Sequence, residues 1–130
     1  MGIEADDAAS IVLVFSGGRT AQISVGFNAY RSQYAEISGH AGRLRLDQAW
    51  NNENRPVSIE LHTDDDGPSV IELEPCFQFA LQLQHLCDCL QGRTTHRIPP
   101  EHSIGQMRVL DAVKESMHTG RAVELCESGG

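Results

Sequence analysis

The segment His102–Leu125 constrains the fold more than any other part of the chain, because it spells a helix start, an apolar stripe, a helix stop and a strand in succession. Ser103 followed by Gln106 has capping-box spacing, in which the hydroxyl satisfies an orphan backbone N–H and the amide reaches back, an arrangement worth about 1 kcal/mol. The spacing predicts a helix that starts near Ser103. Ile104, Met107, Leu110, Val113 and Met117 recur at three- and four-residue steps on one stripe, while Arg108, Asp111, Lys114 and Glu115 fall largely elsewhere. Gly120 stands where a left-handed residue closes a helix, and Val123 and Leu125 alternate with Ala122 and Glu124 as a short strand. A helix that returns directly to a sheet is implied, with its stripe lying on something apolar.

The rest of the chain supplies that sheet. Residues 1 to 8 are acidic and small and read as an entry segment of something longer. Ser10 to Phe15 and Thr20 to Phe27 are β-rich runs joined by the hairpin signal Ser16-Gly17-Gly18-Arg19. A two- or four-residue loop sets Phe15 opposite Thr20. Val12, Val14, Ala21, Ile23 and Val25 then share a core face, and Ile11, Leu13, Phe15, Thr20, Gln22 and Ser24 share the other. Tyr34 to Ser38 and Arg43 to Asp47 flank the turn Gly39-His40-Ala41-Gly42, and the same parity pairs Ile37 with Leu44, Ala35 with Leu46 and Glu36 with Arg45. Ala49 to Pro56 reads as a polar loop with Trp50 as its packing anchor. Val57 to His62 and Ser69 to Glu74 follow as strands, then a helix from Cys76 to Gln91 with Cys76, Phe79 or Ala80, Leu83, Leu86 or Cys87, and Leu90 at helical spacing, closed by Gly92. The pattern predicts a single α+β domain over 1–130, with a mainly antiparallel open sheet of about six or seven strands carrying two helices on one face.

Ten basic against eighteen acidic residues give a net charge of −8, which repels phosphate backbones and anionic lipid, so neither nucleic acid nor membrane is an expected partner. No apolar run approaches the roughly 20 residues that span a bilayer. The start Met1-Gly2-Ile3-Glu4-Ala5-Asp6-Asp7 lacks the basic and apolar regions of a signal peptide, so a cytoplasmic setting is expected. Four cysteines in such a chain read as reduced thiols.

Several stretches invite a chemical reading. His85, Cys87 and Cys89 resemble a ligand set until they are placed on a helix, where Cys87 points away from the other two, and a zinc site would have to borrow Cys76 or Cys126. Asp64-Asp65-Asp66 lacks the twelve-residue loop and closing glutamate of a calcium-binding EF-hand. His40 has no neighbouring nucleophile or carboxylate pattern and reads as a turn residue. Neither catalytic nor metal-ligating residues are therefore assigned. Asn28 to Gln33 interrupts the sheet, and there Tyr30 offers a stacking ring and Arg31 a donor fork suited to hydroxyls and carboxylates.

Ser103, Met107-Arg108-Val109-Leu110-Asp111-Ala112, Glu115-Ser116 and Gly120-Arg121-Ala122-Val123-Glu124-Leu125 together resemble the end of Gfo/Idh/MocA-type oxidoreductases, the glucose–fructose oxidoreductase and inositol dehydrogenase family. Ile37-Ser38-Gly39-His40-Ala41-Gly42-Arg43-Leu44 is similar to a strand–glycine turn–strand of that family's C-terminal domain, and Phe77 to Leu90 resembles its following helix. The resemblance implies a longer NAD- or NADP-dependent enzyme acting on a sugar or polyol. An N-terminal dinucleotide-binding domain precedes such a C-terminal domain for substrate and subunit contacts, and only the second part is expected here. The chain has no G-x-G-x-x-G, and Glu74-Pro75 offers no lysine in the place of the family's E-K-P. No catalytic or cofactor-binding residue is thus expected within these residues, and Tyr30 and Arg31 are the substrate candidates. The resemblance also implies a homodimer, here through the open face of Ile11, Leu13, Phe15, Thr20, Gln22 and Ser24. The rival expectation is a free-standing, non-catalytic interaction module of the same fold.

Overall fold

The computed structural model describes residues 7–52 and 54–125. The entry segment up to residue 6 and Cys126 lie outside the described residues. In chain order the elements are β1 (Ala8–Val14), a 3-10 turn (Ser16–Gly18), β2 (Thr20–Gly26), β3 (Tyr34–Gly39), β4 (Gly42–Asp47), β5 (Val57–Thr63), β6 (Gly67–Leu73), α1 (Gln78–Leu90) and α2 (Pro100–Thr119). The chain divides into two compact units, Met1–Ala29 with His96–Gly130, and Tyr30–Thr95.

The expected single sheet is not what forms. The strands make two sheets, a two-stranded β1-β2 and a four-stranded β3-β4-β5-β6, all antiparallel between neighbours in sequence. Phe27–Gln33, the segment between β2 and β3 in the chain, is irregular. Within the Tyr30–Thr95 unit the expected apolar stripe of α1 is not covered. On α1, Leu83 and Leu90 remain 65% and 80% exposed, and among the described residues no hydrophobic side chain is fully buried.

Within the first unit the hairpin register differs by one residue from the expected one. Ile11 faces Ile23, Leu13 faces Ala21, and Val14 faces Thr20. The cause is the turn: Phe15 N–H donates to the Arg19 carbonyl at 2.8 Å, leaving a three-residue loop in which Gly17 and Gly18 both take a φ of 76°. An odd loop shifts every partner, and a one-residue shift changes which side chains share a face. Ile11 and Leu13 therefore lie with Ala21, Ile23 and Val25 on one face, while Thr20, Gln22 and Ser24 lie with Val12 and Val14 on the other. Ala9, Ile11, Leu13 and Ala21 are half-buried, whereas Val12 and Val14 are 63% and 76% exposed. The expected face of Ile11, Leu13, Phe15, Thr20, Gln22 and Ser24 does not exist as one surface.

Helix α2 begins at Pro100, with Pro99 as N-cap and no side-chain capping bond, so Ser103 and Gln106 do not form the expected cap. Proline at the first helical position has a preset φ and no N–H to leave unsatisfied, which lets the helix start a turn earlier than the serine signal. Its less exposed positions are Gly105, Val109, Ala112, Val113 and Ser116, a face rotated from the expected stripe of Ile104, Met107, Leu110, Val113 and Met117. Gly120 closes it at φ 66°, its N–H bonded to Ser116 O at 2.8 Å, as its sequence position predicts. No strand forms over Val123–Leu125.

In the second unit the β3–β4 register is the expected one, Ile37 with Leu44, Glu36 with Arg45 and Ala35 with Leu46. Apolar residues and opposite charges align across strands in the same register, so both terms select it. Glu36 reaches diagonally to Arg43 at 3.9 Å, and Arg45 turns to Asp47 at 3.1 Å, its guanidinium 4.4 Å from the Tyr34 ring centre. Gly42 starts β4 at φ 154°, and a Cβ there would collide with the His62 carbonyl on β5. Glycine is what lets β4 and β5 approach at that point.

Candidate functional site

The interruption between β2 and β3 holds the sequence-predicted substrate residues. Tyr30 is 97% exposed and Arg31 is exposed as well. Polar groups gather at the nearby end of the four-stranded sheet.

Those groups are organised by Gln33, the last residue before β3. Its Nε2 donates to Gln48 Oε1 at 2.7 Å and to the Asn51 carbonyl, its Oε1 accepts from the Asn51 N–H at 3.0 Å, and its own carbonyl accepts from the Gln48 N–H at 3.1 Å. One amide thus clamps the loop that leaves β4. The clamp holds Gln48 at φ 54°, a left-handed conformation uncommon in a residue other than glycine and sustained only where surrounding contacts fix it. From the far side of the same loop, Gln78 Nε2, at the start of α1, donates to the Trp50 carbonyl at 3.2 Å. Trp50 itself is 66% exposed, which corrects the expectation of a packing anchor: its backbone is anchored and its ring is not buried. Sequence reasoning missed Gln33, Gln48 and Gln78 because they lie in three separate segments and follow no recognisable spacing.

The remaining candidates are placed as follows. His40 sits in the exposed β3–β4 turn. His85 Nε2 lies 3.6 Å from Cys89 Sγ on α1, one turn apart, while Cys87 is exposed on another face. Cys76, Cys87 and Cys89 are free thiols. Asp66 N–H donates to Thr63 Oγ1 at 3.2 Å, so the acidic tripeptide is part of a β-turn. Among the described residues no group of three or more His, Cys, Asp or Glu side chains is arranged to hold a metal ion, and no helix is long and apolar enough to cross a membrane.

A nicotinamide dinucleotide does not fit the residues present. A dinucleotide cradle needs a strand, a glycine-rich turn and a helix whose N-terminal N–H groups receive the pyrophosphate. Among the described residues the one direct passage from a strand to an α-helix runs from β6 through Glu74-Pro75-Cys76-Phe77 into α1, with no glycine and with a carboxylate where the phosphates would lie. Every strand pairing is antiparallel, so no parallel crossover unit exists among the described residues.

The family model described as the oxidoreductase family C-terminal alpha/beta domain (Gfo/Idh/MocA) matches residues 1–125. The chain is similar to D-xylose 1-dehydrogenase (NADP(+)) 2 of Haloferax volcanii, 31% identical over 121 residues, which cover 92% of this chain and 37% of that protein. It is also similar to dTDP-3,4-didehydro-2,6-dideoxy-alpha-D-glucose 3-reductase of Streptomyces antibioticus, 32% identical over 116 residues, covering 85% of this chain and 33% of that one. The chain therefore spans about a third of the length of these curated relatives. No solved structure matches it significantly.

Proposed function

Since the chain belongs to the Gfo/Idh/MocA oxidoreductases, as their C-terminal alpha/beta domain, we propose that it serves as the substrate-side and subunit-contact part of an NAD(P)-dependent oxidoreductase acting on a sugar or polyol. The observation that carries the reading is the match along residues 1–125, joined to two relatives whose names specify an NADP-linked sugar dehydrogenase and a nucleotide-sugar reductase. The poor fit of a dinucleotide to these residues supports a division of labour in which the cofactor is held by another domain of the longer protein. When bound there, that cofactor supplies the hydride acceptor or donor. This chain contributes contacts to the carbon skeleton and hydroxyls from the Tyr30–Arg31 segment, where a phenol ring and a planar five-donor guanidinium suit a polyhydroxylated substrate.

The reading includes a homodimer built through a sheet face. Val12 and Val14 stand exposed beside Thr20, Gln22 and Ser24 on one face of β1–β2, and that mixture of apolar and neutral polar groups suits a subunit contact more than open solvent. A specific contact there buries more than about 1,000 Å² in total.

The test is enzymatic. A protein carrying this chain behind a dinucleotide-binding domain is expected to oxidise an aldose with NADP+ or NAD+, and Arg31→Ala is expected to raise KM for the sugar with little change in KM for the dinucleotide. An Arg31→Ala enzyme with unchanged sugar KM removes this segment from the substrate site.

A further inference from the structure

The C-terminal half of α1 brings one imidazole and one thiol together. His85 and Cys89 stand four residues apart in the helix, a spacing that sets two side chains on one face, one above the other. His85 Nε2 lies 3.6 Å from Cys89 Sγ, and both residues are half-buried, whereas Cys76 and Cys87 are exposed. The backbone that carries the pair is tied at its end. Gln91 N–H donates to Cys87 O at 3.1 Å, Gly92 N–H to Cys89 O at 3.0 Å and Arg93 N–H to Asp88 O at 2.9 Å. The neighbouring Asp88 carboxylate is engaged by Gln84 Nε2 at 3.1 Å and Arg93 Nη1 at 3.0 Å, so it compensates the one cation close by and does not join the pair.

An imidazole nitrogen and a thiolate sulfur suit a borderline-soft divalent cation such as zinc, and suit magnesium or calcium poorly because those demand oxygen. With zinc–sulfur about 2.3 Å and zinc–nitrogen about 2.05 Å, a ligand separation of 3.6 Å corresponds to roughly 110° at the ion, the tetrahedral angle. The pair already stands at the spacing such an ion requires. Position on the helix adds to this, since the last turn carries the partial negative charge of unsatisfied carbonyls, and Cys89 belongs to that turn. A closed structural zinc site takes four protein ligands, and among the described residues no third His, Cys, Asp or Glu is placed to complete one. An open site needs only the two.

We propose that His85 Nε2 and Cys89 Sγ hold a zinc-class divalent cation on the C-terminal half of α1, with water in the two remaining tetrahedral positions. The ion replaces the thiol proton, which leaves to solvent, and nothing is oxidised or reduced. Two of the four ligands of a structural site supply roughly half its binding free energy, which sets the dissociation constant on the order of 1–200 µM. The site goes beyond the oxidoreductase reading and does not rest on it, because no nicotinamide, sugar or second domain enters it.

The 130-residue chain, reduced with a phosphine, is titrated with zinc chloride by calorimetry and with cobalt(II) by absorption, where a thiolate-to-metal charge-transfer band reports sulfur ligation. Alkylation by iodoacetamide is followed at each cysteine by mass spectrometry, with and without zinc. One ion per chain is expected, with the cobalt band present, and zinc is expected to slow alkylation of Cys89 at least about tenfold while Cys76 and Cys87 change less than about twofold. Cys89→Ser and His85→Gln are each expected to weaken zinc at least about tenfold with circular dichroism unchanged, and Cys87→Ser to leave it as it is. The alkylation pattern is read on the unaltered chain, so it decides the matter even where a variant fails to fold. No saturable binding below about 1 mM zinc overturns the site. So does protection of Cys76 or Cys87 in place of Cys89, a cobalt complex without the sulfur band, zinc affinity that survives Cys89→Ser, or one ion shared by two chains.

Discussion

Gly42 and Gly39 face each other across the β3–β4 turn, and the structure assigns them opposite tolerances. At Gly39 an added Cβ meets nothing within 4 Å, and the backbone is ordinary. At Gly42 the φ of 154° is one that L side chains rarely adopt, and the added Cβ would overlap the carbonyl of His62, a backbone atom that cannot swing aside without parting β4 from β5. The conformational term is about 1–3 kcal/mol and overpacking adds about 1–3 kcal/mol, so Gly42→Ala is expected to cost about 3 kcal/mol. With a urea m-value of about 2 kcal/mol/M, the unfolding midpoint falls by about 1.5 M. Gly39→Ala is expected to stay within about 0.5 kcal/mol of the parent. Paired urea titrations followed by circular dichroism measure both. Equal midpoints for the two variants would show that β4 and β5 do not approach as described.

Three further outcomes follow from particular contacts. Gln33→Ala is expected to speed hydrogen exchange at the Asn51 amide, which bonds the lost side chain, and to leave the Gln48 amide, which bonds the Gln33 backbone, nearly unchanged. Ser103→Ala is expected to change stability by less than about 0.5 kcal/mol, because Pro99 and Pro100 start α2 without it; a loss of about 1 kcal/mol in thermal unfolding would restore the serine cap. Sedimentation should show Val12→Glu as a folded monomer, since the charge enters the exposed face proposed for dimer contact, whereas Leu13→Glu lowers the melting temperature of the chain itself. A dimer that survives Val12→Glu removes that face from the interface.

How far the sequence discloses the structure depends on whether two independent signals coincide. For β3–β4 the apolar pairs, the charge pair and a turn between glycines all demand one register, and that register forms. For β1–β2 the strand β1 is apolar on both faces and accepts either face of β2, so loop parity selects the register, and parity depends on whether Gly17 and Gly18 build an even or an odd loop. At α2 a serine and two prolines compete to start the helix, and the prolines win because a preset φ needs no side-chain partner. Val123–Leu125 has the alternation of a strand, but a strand exists only where another backbone pairs with it. The polar clamp on the β4–β5 loop was illegible for a different reason. Its polar groups come from the residue before β3, the β4–β5 loop and the start of α1, and no local pattern announces that the fold brings them together.

The proposed function places this domain beside a nicotinamide cofactor that it does not itself hold. Calorimetric titration with NADPH measures this most directly, run once on the 130-residue chain and once on a protein in which the chain follows a dinucleotide-binding domain. No detectable heat is expected for the chain alone, whose β6–α1 passage offers a carboxylate and no glycine turn, and saturable binding is expected for the longer protein. Micromolar binding by the chain alone, or a longer protein indifferent to NADPH and NADH alike, would contradict it.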